Sequence, residues 1–159
     1  MPTQSEVLAP LPEQLRVVAG AGPAVEPVGH SADSPYLEAA WLEVLGPSTM
    51  LAWRRLARTA ASRPGTVIGS SDLAQSLGLG KRLDENALLP RAVASTVGFG
   101  AANCAGSRLA VRTALPDVPF QQSQRLSMSA QLAHECCGHR QPRPASATPE
   151  PVGSEEVEL

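Results

Sequence analysis

The sequence predicts a mainly α-helical domain with a small β-hairpin, spanning residues 35–134 between disordered termini. Three observations predict it. Apolar residues recur every three or four positions through 37–60, 70–77 and 86–97, the period of helices that bury one face. The turn-forming stretch "NCAGS" leads into "RLAVRT", whose alternation is that of a half-buried strand. Prolines and glycines break up both ends of the chain, and neither period persists there.

Taken in order, residues 1–34 carry Pro2, Pro10, Pro12, Pro23 and Pro27 and read as a disordered Pro-rich leader. Within it, "LPEQLRVVAG" has at most the makings of a turn or two of helix. Order begins near Ser34-Pro35, because proline suits the first position of a helix. "YLEAAWLEVLG" places Leu37, Trp41, Val44 and Leu45 on one face until Gly46 interrupts. Pro47 and Ser48 open a second helix, with Met50, Trp53, Leu56, Ala57 and Ala60 as its apolar stripe. Arg54, Arg55 and Arg58 fall on the other side, a solvated face. Arg63-Pro64-Gly65 ends that helix, and the β-branched "TVIG" is a strand.

"SSDLAQSLGLG" follows as a short helix. Ser70 or Ser71 is its N-cap, Asp72 favours the positive end of its dipole, and Gly78 closes it in the left-handed conformation. The link "KRLDE" leads to "NALLPRAVASTVGFG", which Asn86 caps and whose stripe is Leu89, Val93 and Val97. Pro90 is tolerated there because it lies in the first turn, and Phe99 is expected to fold back onto the core. In "RLAVRT", Leu109 and Val111 share one face. "SQRLSMSAQLAHE" makes a final short helix, and residues 135–159 read as a disordered tail, first Cys/His-containing and then acidic and Pro-rich. Helix, strand, helix, helix, strand, turn, strand, helix is the order of a winged helix-turn-helix domain, with the hairpin around residues 100–113 as the wing.

"WLEVLGPSTMLAWRRLA", "DLAQSLGLG", "NALLPRAVASTVGFGAA" and "LAVRTALPDVP" together resemble uncharacterised winged helix-turn-helix-like proteins of GC-rich bacteria. The resemblance covers roughly residues 36–134. It implies a fold related to DNA-binding regulators and no chemistry of its own. The broader winged-helix class implies that residues 86–97 are the recognition helix and 103–108 the wing tip.

Charge is distributed in keeping with an anionic partner. From Tyr36 to Ala133 ten Lys and Arg stand against six Asp and Glu, whereas residues 1–35 and 134–159 each carry a net charge of −3. Twelve of the 13 basic residues are Arg, as codon use in a GC-rich genome produces, so the arginine count itself carries little weight. The expected DNA-binding residues are Lys81, Arg82, Asn86, Arg91, Ser95, Arg108 and Arg112. Asn86 and Ser95 are placed to read bases, and the five cations to contact phosphates. In the reading helix, Asn86, Arg91, Ser95 and Thr96 face outward, and Arg91 is its one cation. The protein is therefore expected to be a weakly specific DNA-binding accessory or regulatory factor, with a homodimer through its first helices as an option. The acidic tail is expected to compete for the basic face, so that deleting residues 140–159 tightens binding at low salt.

Two further readings come from other classes. A winged helix with a charge-poor reading helix also serves as a protein-interaction adaptor without DNA binding. "HECCGH" suggests a zinc- or thiol-dependent switch, because His134, Cys136, Cys137 and His139 are all zinc-ligating types. Its spacing argues against a metal: structural sites separate paired cysteines by two to four residues, and adjacent thiols point apart. No cofactor is implied. "GFGAAN" follows a helix rather than a strand, the wrong context for a phosphate loop, and no Ser-His-acid set is visible, so an enzyme is not expected. No apolar run reaches the roughly 20 residues needed to span a bilayer. The opening "MPTQSEVLAPLPEQL" lacks a secretory pattern, and three cysteines make no disulfide framework. The expected location is the cytoplasm, with reduced thiols.

Overall fold

The leader supplies the centre of a sheet. In the computed structural model, which describes residues 10–20 and 29–138, β1 (Gln14–Ala19) is hydrogen-bonded on both sides. On one side lies the antiparallel β3 (Thr66–Gly69), with Leu15 opposite Ile68 and Val17 opposite Thr66. On the other lies the parallel β5 (Arg108–Val111), with Arg16 opposite Arg108 and Val18 opposite Ala110. The antiparallel β4 (Ala102–Ala105) completes the order β3-β1-β5-β4. A second, two-stranded sheet pairs β2 (His30–Ser31) with β6 (Ala114–Leu115).

Two expectations are corrected here. The architecture is mixed α/β rather than mainly α with a hairpin, and the leader is not disordered where it is described. Leu15 and Val17 are fully buried, which stabilises the fold by about 1.5–3 kcal/mol for each side chain. The alternation in "QLRVV" spans only five residues between prolines. Its two neighbours come from about 50 and 90 positions away in the chain, so local pattern carries almost none of the signal. Residues 1–9, 21–28 and 139–159 lie outside the described residues.

The first helices follow the expected periodicity. A π-helical turn, α1 (Leu37–Trp41), runs directly into α2 (Leu42–Leu45). After Gly46, α3 (Pro47–Ser62) begins with proline at its first position, where the missing N–H costs nothing. Met50, Trp53, Leu56, Ala57 and Ala60 are all buried, as the stripe predicts. They pack on the face of the sheet formed by Leu15, Val17, Leu109 and Val111, and these side chains share one core. Each indole buries its ring and satisfies its N–H: Trp53 donates to the Arg112 carbonyl at 3.1 Å and Trp41 to the Pro116 carbonyl at 2.7 Å.

The start of α4 (Ser70–Ser76) departs from expectation. Ser70 does not cap; it is buried, its hydroxyl donates to the Pro12 carbonyl, and its N–H donates to the Glu13 carbonyl. A residue read as local punctuation is thus a tertiary tie to β1. The other end behaves as expected, with Gly78 at φ +73°. The Leu79 N–H returns to Ala74 at 2.9 Å and the Gly78 N–H to Gln75 at 3.1 Å, the paired bonds that satisfy final helical carbonyls.

In α5 (Leu88–Gly98) the cap position is Ala87 rather than Asn86. Leu89, Ala92 and Val93 are buried, and so is Thr96, whose hydroxyl donates to the Ala92 carbonyl instead of facing outward. Phe99 does not fold back onto the core; 41 % of it is exposed. From Pro47 to Val111 the elements run helix, strand, helix, helix, strand, turn, strand, the expected order, with β1 inserted between β3 and β5.

Two helices close the described structure, α6 (Phe120–Ser123) and α7 (Met128–Gly138). The second reaches past residue 135, where the tail was expected to start. No described helix is long and apolar enough to cross a membrane.

Candidate nucleic-acid interface

Lys81, Arg82 and Asn86 share the turn between α4 and α5, and all three are exposed. The turn is tied back to the start of α4 by Ser71, whose hydroxyl donates to the Lys81 carbonyl at 3.3 Å. Asp84 organises the remainder. One carboxylate oxygen accepts the Asn86 N–H at 3.1 Å and the other accepts Arg82 Nε at 2.7 Å. The shape of the turn is thus held at the expense of local positive charge. Arg82 is 80 % exposed, so this ion pair contributes little stability.

On α5, Arg91 and Ser95 stand one turn apart, with Leu88 preceding them at helical spacing. This face opposes the buried Leu89, Ala92, Val93 and Thr96. Arg91 and Leu88 are exposed and Ser95 is half-buried. A helix whose free face carries one cation, a serine and an exposed leucine offers few groups that hydrogen-bond base edges.

The hairpin β4–β5 turns through Gly106 and Ser107, with Ala105 opposite Arg108 and Gly106 at φ +60°. In β5 the alternation places Leu109 and Val111 in the core and Arg108 on the opposite, solvent face. Arg112 continues that alternation just past the strand. Its backbone is anchored, with its N–H donating to Ala101 and its carbonyl accepting Trp53. The structure therefore brings the expected residues together in three groups: the turn, the α5 face, and the solvent side of β5.

Sequence reasoning missed Arg16. It lies beside Arg108 in the parallel ladder, on the same solvent face, and its N–H donates to the Ser107 carbonyl at 2.8 Å. The signal that could have found it is Leu15-Arg16-Val17, a polar residue between two that are wholly buried.

Other charged groups are already engaged. Arg54 pairs with Glu38 at 2.6 Å, Arg58 Nε with Asp33 at 2.9 Å, and Arg55 reaches Ser76 at 3.4 Å. The arginines of α3 thus stitch the outside of the helix layer. In "HECCGH", His134 Nδ1 bonds the Tyr36 hydroxyl at 2.7 Å, and Cys136 is exposed. The Cys137 side chain and His139 lie outside the described residues, and among the described residues no three His, Cys, Asp or Glu converge on a point. Burial pushes the Cys104 thiol up from its usual range, and it faces the Gly106 carbonyl across the hairpin turn.

No family model matches this chain, and comparison with curated proteins and with solved structures finds no match for it either.

Proposed function

We propose that the protein is a weakly specific, DNA-binding accessory or regulatory factor of winged-helix type. Its contacts come from the α4–α5 turn, the free face of α5 and the β4–β5 hairpin. The observation that carries this reading is the arrangement of α5. It buries one face on α3 and the core, and it leaves Arg91 exposed and Ser95 half-buried directly after a turn bearing the exposed Lys81 and Arg82. The element order from α3 to β5 supports the same reading. Phosphate contacts by Lys81, Arg82, Arg91, Arg108 and Arg112 dominate, and Asn86 and Ser95 add weak base discrimination.

The test is binding of the full chain to sheared genomic DNA between 50 and 200 mM salt. About five phosphate contacts give a log–log salt slope of roughly −4 to −5. Absence of binding at the lowest salt removes the reading. A second reading, a winged-helix adaptor for another protein, is favoured by the exposed apolar side chains Phe120, Met128 and Leu132 on α6 and α7. Arg91→Ala and Arg112→Ala separate the two: both weaken DNA binding, while binding of a partner protein on α6 and α7 is expected to persist.

A further inference from the structure

We infer that Arg16 and Arg108 form a phosphate-binding pair on the open face of the sheet, extending the nucleic-acid surface from the hairpin onto β1. This inference rests on the nucleic-acid reading and adds a site to it. Its basis is the cost of the arrangement. Arg16 and Arg108 are in register on neighbouring strands, which stand about 4.8 Å apart. Like charges placed side by side on one sheet face repel and destabilise the pair. Among the described residues no carboxylate forms an ion pair with either arginine. Three ion pairs there use Asp33, Glu38 and Asp84, Asp117 bonds the His30 ring, and Glu43 is taken up by Ser127. Glu13 precedes β1 and Asp72 sits against Gly69 beyond the end of β3, and neither pairs with these arginines.

The surroundings suit an extended polyanion. The helices pack on the face that holds Leu15, Val17, Leu109 and Val111. On the opposite face Arg16, Val67, Asn103, Ala105 and Arg108 are exposed. Both side chains are exposed, which leaves the two guanidinium groups free to lie against neighbouring phosphates of one strand, each able to offer two parallel N–H donors. The bond from the Arg16 N–H to Ser107 fixes the pair at the hairpin turn. A strand passing the turn therefore meets Arg16 and Arg108 together. Because the pair reads a phosphate and not a base edge, it raises affinity without sequence preference.

The test uses the full chain and a 20-base-pair duplex of random sequence, with affinity measured from 50 to 200 mM salt. Arg16→Ala and Arg108→Ala are each expected to reduce the salt slope by about one, and the double variant by about two. Arg16→Lys is expected to keep the slope. Removing either charge relieves the repulsion, so neither variant should melt below the wild type, and a variant that melts early is replaced by Arg16→Gln. If Arg91→Ala lowers the slope and Arg16→Ala does not, this inference is overturned while the function stands. If the wild type binds no duplex, both fall. Loss of polyglutamate binding with duplex binding intact assigns the pair to an acidic protein partner and also overturns it.

Discussion

The Tyr36 hydroxyl lies 2.7 Å from Nδ1 of His134 and accepts the Val118 N–H at 2.9 Å. One buried phenol thereby ties α7 to the segment before α6. The His30 ring stacks on Tyr36 at 4.0 Å and bonds Asp117 at 2.6 Å, so a third segment, β2, joins the same cluster. Tyr36→Phe keeps the ring and leaves the buried Val118 N–H without its acceptor. It should cost about 1–3 kcal/mol, read by urea denaturation with an unchanged m-value. A variant as stable as wild type would mean that the phenol only fills space.

The start of α7 is held by charge. Glu43 accepts the Ser127 N–H at 2.8 Å, and hydrogen bonds from the Ser127 side chain and then its backbone hold the Glu43 carboxyl below its usual range. A carboxylate depressed in the folded state stabilises above its unfolded pKa, near 4.3, and loses that contribution as pH falls through the folded value. Relative to the intrinsic rate at each pH, amide exchange at the first turn of α7 should therefore be steady above about pH 5 and quicken at lower pH. In Glu43→Gln this additional pH dependence should vanish. If both proteins quicken alike, Glu43 does not hold the helix.

Leu15 is fully buried between the sheet and α3. Leu15→Ala should cost about 2–5 kcal/mol. A fragment beginning at residue 35 lacks β1 altogether. It leaves β3 and β5 without their shared partner, and Ser70 without the acceptor it finds at Pro12. That fragment should melt without a cooperative transition. A sharp melt at the wild-type temperature would show that β1 is dispensable, and with it the architecture described above.

Asp84 neutralises Arg82 while shaping the turn. Asp84→Asn keeps an acceptor for the Asn86 N–H and removes the charge. It should steepen the salt slope of DNA binding by less than about one, because Arg82 already counts among the phosphate contacts and gains only what its pairing with Asp84 withheld. An unchanged slope would place the turn away from the DNA.

Much of the helical layer was legible in the residue order. The stripe of α3, the glycine that ends α4 and the alternation of β5 are local patterns, each set by side chains within a few positions of one another. Ser70 misled through a long-range bond and Thr96 through the burial of its helix face. Ser70 looks like a cap and is a tie to Pro12; Thr96 looks outward-facing and buries its hydroxyl against Ala92. Of the candidate site, the cations of the α4–α5 turn and hairpin were visible, but Arg16 was not, because its strand is defined by partners distant in sequence.

By itself, then, the sequence determined the helices and the strands β3 and β5 between Pro47 and Val111, since periodicity is a short-range property, whereas Asn103, Cys104 and Ala105 read as turn and pair with β5 as β4. Tertiary structure alone decided that "QLRVVA" is the central strand, that the architecture is mixed α/β, and that Arg16 stands beside Arg108. A strand has no hydrogen bonds of its own to complete. Its place depends on which edges the rest of the chain leaves open, and here β3 and β5 leave a gap that only β1 fills.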